Sequence, residues 1–449
     1  MIQSTSTPSL GRVAVVGGGL GGTLMACYLA RRGYEVEIHE ARPDLRRADT
    51  AGPSMNLGLS RRGIESLAQV GLNDVKERLG IPMLGRVIHP IGHGLRFQTY
   101  GNFDGQVIYA TARNELNRML LDLAASLPGV RLVFQSKCID LDRDRPALLL
   151  EDEHGKAAWR EFDFIVGADG VFSAVRRLTL QRERCNLHQE YLPWGWKELR
   201  ISTAMAKTVG MKGNAFHLWP RGDTMIFAHP NHDGSFTCSL VMPLEGPRSF
   251  ASLPDAARVR AFFDELFPDL PPLMPDLEAQ FQASPVVNLI SIKVSPWFYK
   301  DRVVLLGDAA HAVFPFYAQG MNAAFESCRV LDECLAAHRS DRAAAFRAFE
   351  ERRKKDTDAL EQMSRENFVE LIDRVRSPWV RARRRVDSWI NRLFPRLWMS
   401  LHARVTHTTM PYAKALELAR RQDRTLEVAL LLAAVITASS LAAVLLAQP

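Results

Sequence analysis

The run Val13-Ala14-Val15-Val16-Gly17-Gly18-Gly19-Leu20-Gly21-Gly22 limits what this chain can fold into more than any other. Four consecutive small or β-branched apolar residues read as a buried strand. The glycines after them permit a tight turn and a close approach of backbone to a ligand. Thr23–Arg32 then reads as a helix with Leu24, Cys27, Tyr28 and Leu29 inward, and Gly33 ends it. Tyr34–His39 alternates as a second strand and closes with Glu40. These pieces make a βαβ unit, which commits the chain to a parallel sheet covered by helices. Gly17-x-Gly19-x-x-Gly22 sits between strand and helix, as a dinucleotide fingerprint does. A pyrophosphate can lie against the glycine backbone and face the helix N-terminus, while Glu40 is placed to bond a ribose.

Two later turns have the same form. Phe162–Val166 feeds Gly167-Ala168-Asp169-Gly170, followed by Ser173, Arg176 and Arg177. Val303–Leu306 feeds Gly307-Asp308, and Gln319-Gly320-Met321-Asn322 comes next. An Asp at a strand end either contacts sugar-like hydroxyls or merely caps the following helix. The three turns in this order point to a flavin held by both ends of one chain, and so to a redox enzyme.

Charged residues are 24% and apolar residues 47%, which excludes general disorder, and 449 residues can bury one large core or two smaller ones. Much of the net charge of +7 comes from Arg374, Arg376, Arg381, Arg383, Arg384, Arg385, Arg392 and Arg396, interleaved with Trp379, Trp389, Phe394 and Trp398. A solvated helical face with apolar anchors is the expectation there; a nucleic-acid patch and a membrane-surface contact are the alternatives. No nucleic-acid partner is expected. Six scattered cysteines without a C-x-x-C pair indicate neither zinc nor a thioredoxin-like motif, and fit a reducing compartment. No apolar signal region precedes the first strand. Val428–Ala447, by contrast, carries no charge and has the length of a membrane span. Arg420, Arg421 and Arg424 before it favour a cytoplasmic catalytic side. A buried helix or a dimerisation helix, giving a homodimer, is the alternative.

Residues 80–110 look like a hairpin, Met83–His89 and Leu95–Tyr100 around Pro90–Gly94. Centred on His93, it sets Arg86 opposite Tyr100, a guanidinium and a phenol suited to a carboxylate. Asn114–Ser126 reads as a helix, and Val130–Asp142 and Ala147–Glu151 as strands. Ala215–Trp219, Thr224–His229 and Ser235–Met242 form a meander, which predicts a second sheet inserted into the α/β unit. Residues 253–269 and the chain from Ala323 to about Arg424 read as helical. Trp194-Gly195-Trp196 starts like a flavin-halogenase run but lacks its Ile-Pro, and reads as core aromatics in a strand.

The three turns resemble those of the class A flavoprotein aromatic hydroxylases. Gly80-Ile81-Pro82-Met83, Ser54–Ser60, His217–Arg221, Ser235–Cys238 and Gln319–Ala323 resemble the kynurenine monooxygenase family within that class, over nearly all of residues 10–425. The resemblance implies an FAD-binding Rossmann-like α/β domain of glutathione-reductase type in three layers, with an inserted mixed β-sheet substrate domain and a C-terminal helical region. The FAD domain would comprise 10–80, 111–182 and 291–345, and the substrate domain 81–110 and 183–290. Helices would fill 346–425 and an anchor 426–447. It implies FAD as cofactor, NADPH and O2 as co-substrates, L-kynurenine as substrate, and O2 activated at flavin C4a. No metal is expected.

Cofactor contacts would come from Gly17, Gly19, Gly21, Gly22, His39, Glu40, Ala41, Arg42, Gly58, Arg113, Cys138, Asp169, Asp308, Gly320, Met321 and Asn322. Arg86, Tyr100, Asn367 and Tyr412 would hold the substrate. Tyr317, Gln319 and Glu370 are the expected catalytic positions. The chain departs from the family at Phe316-Tyr317-Ala318, where a Gly usually precedes Gln319, and at Ala324 and Ser327, which replace the usual Gly and Asp. A related aromatic substrate, or a flavoprotein that no longer hydroxylates, are the competing expectations.

Overall fold

A computed structural model describes residues 9–47, 55–100, 106–181, 184–372, 386, 390–391 and 398–446. In chain order the first elements are β1 (Arg12–Val16), α1 (Leu20–Arg32), β2 (Glu35–Glu40), β3 (Asn56–Leu59), α2 (Arg61–Gln69), α3 (Val75–Leu79), β4 (Ile81–Met83), β5 (Gly85–Ile88), β6 (Arg96–Thr99), β7 (Ile108–Ala112) and α4 (Arg113–Ser126). Then come β8 (Val130–Phe134), β9 (Lys137–Asp142), β10 (Ala147–Glu151), β11 (Ala157–Glu161), β12 (Phe164–Gly167), α5 (Ala174–Leu180), β13 (Asn186–Ile201), α6 (Thr203–Thr208), β14 (Phe216–Arg221), β15 (Thr224–Pro230) and β16 (Phe236–Pro243). The rest is α7 (Ala256–Leu266), α8 (Leu277–Ala283), β17 (Val287–Ser295), β18 (Phe298–Tyr299), β19 (Val303–Leu305), α9 (Asp308–His311), α10 (Gly320–Ala337), α11 (Arg342–Ile372) and helices Leu401–His407 and Tyr412–Leu446.

The cofactor domain is built on a sheet of order β18-β19-β12-β1-β2-β8, parallel except at the β18 edge. Val13–Val16 are buried because α1 covers one side of β1, as a parallel sheet between helices requires. Gly33, at φ 100°, ends α1 and donates its N–H to Ala30 and Leu29. A second, seven-stranded sheet runs β17-β13-β16-β15-β14-β5-β6 and is antiparallel apart from the β14–β5 pair. It is therefore mixed, as expected. One face packs on α7 and α8 through Leu199, Ile226, Phe236, Phe263 and Phe267. The other meets the cofactor domain through Trp196, Phe314 and Phe368.

Three expectations need correcting. Val130–Asp142 is two strands, not one. The chain breaks at Gln135, whose φ is 51°, so β8 joins the parallel sheet while β9 turns into a separate sheet with β10 and β11. Met83–His89 likewise divides: β4 pairs with β7, and β5 with β14 and β6. The hairpin is centred one residue earlier than expected, so Arg86 faces Gln98 and not Tyr100. The Tyr100 N–H bonds Leu84 O instead. A turn shifted by one residue slides the register by two, which keeps every side chain on its expected face. Arg86 and Tyr100 thus become diagonal neighbours on one face. The eight arginines of the stretch 374–396 lie outside the described residues.

Candidate active site

The fingerprint turn builds a cradle. Gly17 has φ 109°, and a Cβ there would strike the Ala168 carbonyl; one on Gly22 would strike Gly17 itself. Gly19, at the mouth of α1, would meet nothing within 4 Å. Packing on two sides and open space on the third is what a bound pyrophosphate needs. Gly21 lies on the α10 side, where Ala324 approaches it and Gly307 together. Glu40 accepts from Gly18 N at 2.7 Å and from Arg42 N and Nε at 3.0 and 2.8 Å. Burial pushes its carboxyl up, but the bonds from Arg42 and Gly18 outweigh that and hold it below the ordinary range. A carboxylate has room for further bonds, so ribose contact stays open. Ala41 is exposed beside it. The His39 ring is committed elsewhere. It is buried, 3.0 Å from Ser136 Oγ and 3.4 Å from Glu37, so only its backbone belongs to the turn, its carbonyl accepting Gly17 N.

The opposite wall holds Asp308 and Arg113. The Asp308 side chain is solvent-accessible yet lies deep in the protein, the combination that marks a ligand-sized cleft. Desolvation raises its carboxyl and Arg113 lowers it. Glu198 on β13 stands in the same relation to Arg113. Two acids around one guanidinium leave a polar cleft suited to phosphate, ribityl and flavin-ring oxygens. Asp169 is different. Its carboxylate accepts Ser173 Oγ at 2.5 Å and Val175 N at 3.1 Å, so it caps α5. Cys138 is buried, its thiol pushed up to about 12 by burial and then by Asp169 and Asp140; only its backbone suits a cofactor contact.

At the third turn Asn322 joins two elements. Its side chain accepts from Ser60 N at 2.9 Å and donates to Gly58 O at 2.7 Å and Ala318 O at 3.2 Å. This seats β3 against the start of α10. The N–H groups of Gly320, Met321 and Asn322 form the first turn of that helix and point outward for an anionic flavin. Gln319 is buried, and its Oε1 lies 3.0 Å from Tyr412 Oη and 3.3 Å from Ser60 Oγ. The cleft from Gly19 past Asp308 to Gly320 therefore fits FAD.

Beside it lies a second set of expected residues. Arg86 Nε donates to Gln98 at 2.8 Å. Burial raises the Tyr100 phenol and Arg86 lowers it, so the two sense each other directly. Asn367 donates to Phe316 O at 2.7 Å. Phe316 stacks on Phe368 with centroids 4.3 Å apart. Glu370 sits one helical turn beyond Asn367, and its charge acts on the Tyr317 phenol, which burial already raises. Ala318 is left-handed, φ 53° and ψ 34°, which explains why a glycine is usual there. Ser327 accepts from Arg353 Nε at 3.2 Å and lies 3.0 Å from His311 Nε2.

Several residues were not expected. His402 has its ring 5.4 Å from Tyr100 and 6.3 Å from Tyr317. Burial, then Arg86 and His407, depress it to about 3, so it is neutral at working pH. The Nε2 atoms of His402 and His407 are buried without a hydrogen-bond partner. Arg62 is buried, 3.8 Å over the Tyr412 ring, paired with Glu326 at 2.8 Å and donating to Met410 O at 2.9 Å. It fixes the turn that delivers Tyr412. Asn117 donates to Gly18 O at 3.2 Å and leaves its Oδ1 unpartnered. Lone histidines and asparagines in helices carry no motif, so no local pattern could have found them.

Residues 11–364 match a family model described as FAD binding domain. Kynurenine 3-monooxygenase of Salinispora arenicola is 48% identical over 419 residues, covering 92% of both chains. That of Flavobacterium johnsoniae is 38% identical over 417 residues, covering 93% of both. Among solved structures, 2-methyl-3-hydroxypyridine-5-carboxylic acid oxygenase aligns with TM-score 0.67 and 25% identity, over 82% of this chain and 94% of its own.

Proposed function

The chain belongs to the kynurenine 3-monooxygenase family of FAD-binding proteins, and from that premise we propose that it hydroxylates L-kynurenine ortho to the ring amino group. Kynurenine, NADPH, a proton and O2 give 3-hydroxykynurenine, NADP+ and water. One observation carries this: kinship at 48% identity runs over 92% of the chain, including the substrate sheet as well as the cofactor cradle.

Bound FAD supplies the redox chemistry, taking hydride from NADPH and activating O2. Arg86 and Tyr100 are assigned to the amino-acid carboxylate, and Asn367 and Tyr412 to the rest of the substrate. Glu370 is assigned to the amino group. Phe316 and Phe368 keep water from the reacting edge. The aniline nitrogen already activates its ortho carbon, so no strong side-chain acid or base is required. Tyr317 and Ala318, where the chain departs from its family, favour a second reading in which a related aminophenyl ketone is preferred. Turnover of FAD-loaded protein with kynurenine and NADPH, read by mass spectrometry, decides between them. A product with one added oxygen is expected; NADPH oxidation without it would overturn the kynurenine assignment.

The C-terminal helix is proposed as a membrane anchor with the catalytic part on the cytoplasmic side. Val428, Leu431, Leu432, Val435 and Ile436 stand exposed along it, which supports a lipid-facing role. Among the described residues no helix is long and apolar enough to cross a membrane. The side chains at 430, 433–434 and 440–447 lie outside the described ones.

A further inference from the structure

His229 sits on the substrate face of the seven-stranded sheet. Arg86 on β5 registers with Phe216 on β14. His217 registers with Ala228, which sets Phe216 beside His229 on β15, and His229 registers with Thr237 on β16. Residues in register across neighbouring strands point to one side, so Arg86, Phe216, His229 and Thr237 form a row on one face. Two strand spacings, about 10 Å, separate Arg86 from His229 at the backbone. The His229 ring lies 4.8 Å from Phe216 and 6.0 Å from Phe227, edge-on to both. Phe216 and Tyr100 pack on the cluster of Met83, Ile108 and Ala110. Phe227 and Phe316 pack on the cluster that holds Phe314 and Phe368. His229 therefore stands between the carboxylate clamp and the aromatic wall next to the cofactor domain.

Its surroundings are those of a cleft-lining group. Like Asp308, Tyr100 and Tyr317, it lies deep in the protein yet retains accessible surface. Among the described residues its ring nitrogens have no hydrogen-bond partner, and they are not closed off from solvent as His402 Nε2 is. The hydroxyl of Thr237 beside it is taken by Asn231 at 3.2 Å. Burial holds the imidazole down to about 4, so at working pH the ring is neutral, with one N–H and one bare nitrogen. That nitrogen is an acceptor, which Phe216 and Phe227 cannot supply.

Kynurenine brings the matching donor. Its ring amine is ortho to the side-chain ketone, so one amine N–H can bond that oxygen within the molecule and the other needs an acceptor. Against phenyl rings alone, that donor would forfeit a hydrogen bond it makes in water. We infer that His229 accepts this N–H from the substrate and thereby selects an aminophenyl ketone over the same skeleton without the amine. The inference rests on the reading of the chain as a kynurenine hydroxylase. It gives the substrate ring one orientation, with its amine toward β15.

The test uses the full FAD-loaded chain without NADPH, so that nothing turns over. Kynurenine and 3-benzoyl-L-alanine, which lacks only the ring amine, are titrated calorimetrically into wild type, His229→Phe, His229→Leu and His229→Gln. Phe keeps a ring against Phe216 and Phe227 but removes both nitrogens. Leu removes them at smaller volume and carries the comparison if the Phe variant loses FAD. Gln keeps an acceptor near the position of Nε2. Wild type should bind kynurenine more tightly than 3-benzoyl-L-alanine. The Phe and Leu variants should bind kynurenine about three- to tenfold more weakly, the worth of one hydrogen bond, and 3-benzoyl-L-alanine as before. His229→Gln should recover most of that loss. Unchanged kynurenine affinity in both variants would overturn the contact. Equal weakening of the two ligands would also overturn it and leave His229 a packing residue. If wild type binds neither ligand, the kynurenine reading falls and the inference falls with it.

Discussion

Arg86 and Tyr100 are assigned to one task although they are not directly opposed. The guanidinium carries the charge, and its bond to Gln98 holds the side chain in place while the phenol approaches diagonally. Arg86→Ala should raise the KM for kynurenine about 10- to 100-fold, the worth of a charge-assisted bond to a carboxylate, while FAD stays bound. An unchanged KM would remove Arg86 from the clamp. Ala318 offers a second test. A left-handed alanine costs roughly 1–2 kcal/mol, and glycine returns part of that as chain entropy. Ala318→Gly should therefore stabilise the protein by about 0.5 kcal/mol, measurable by denaturant titration; destabilisation would mean that the methyl group against Gly58 matters more than the backbone strain. The need for glycine at residue 318 was legible only as a departure from a family pattern. The φ angle supplies its cause.

Helix α11 is held to the substrate sheet by a line of charges. Arg365 bonds Glu190 on β13 at 2.5 and 2.7 Å and Glu361 at 2.6 Å, and Lys293 on β17 reaches Glu361 at 2.5 Å. The same helix carries Asn367 and Glu370, so this contact sets their distance from the sheet. Arg365, then His188, depresses the Glu190 carboxyl to about 2. A depressed acid stabilises the fold above its unfolded value and loses that contribution as pH falls through the folded one. Glu190→Gln should thus cost about 1 kcal/mol at pH 7, discounted for solvent around the pair. The difference should vanish between roughly pH 4.3 and pH 2. Urea melts of both forms across that range check it; a gap that persists at the acid end would refute the ionic origin. At this scale the strands and α1 could be read from apolar runs and glycines. The break at Gln135 and the hairpin's centre could not, because each depends on which sheet captures the neighbouring strand.

At the scale of the whole molecule, the six- and seven-stranded sheets, the larger two of four, meet at the cleft, which the C-terminal helices close at one end. Tyr412 closes it, anchored by Arg62 beneath its ring and by Gln319 at its hydroxyl. The helix it begins runs on to Leu446, and its described apolar side chains Val428, Leu431, Leu432, Val435 and Ile436 are exposed. Deleting residues 426–449 should move the protein from the membrane to the soluble fraction with kynurenine turnover retained. Fractionation that shows no shift would point to a buried or pairing helix instead.

By itself the sequence determined the parallel sheet, the three strand-end turns and the family to which the chain belongs. Each of those is a local pattern, in which apolar period, glycine position and strand-end acid lie within a few residues of one another. Only the tertiary structure decided which side chains are free to act. Asp169 and the ring of His39 look like ligands in the sequence but spend their polar atoms inside the fold. His402 and Arg62 carry no local signature, yet packing brings them beside Tyr100 and Tyr412. Spacing along the chain can state what chemistry a residue offers. Whether that chemistry is already satisfied depends on neighbours supplied by distant segments.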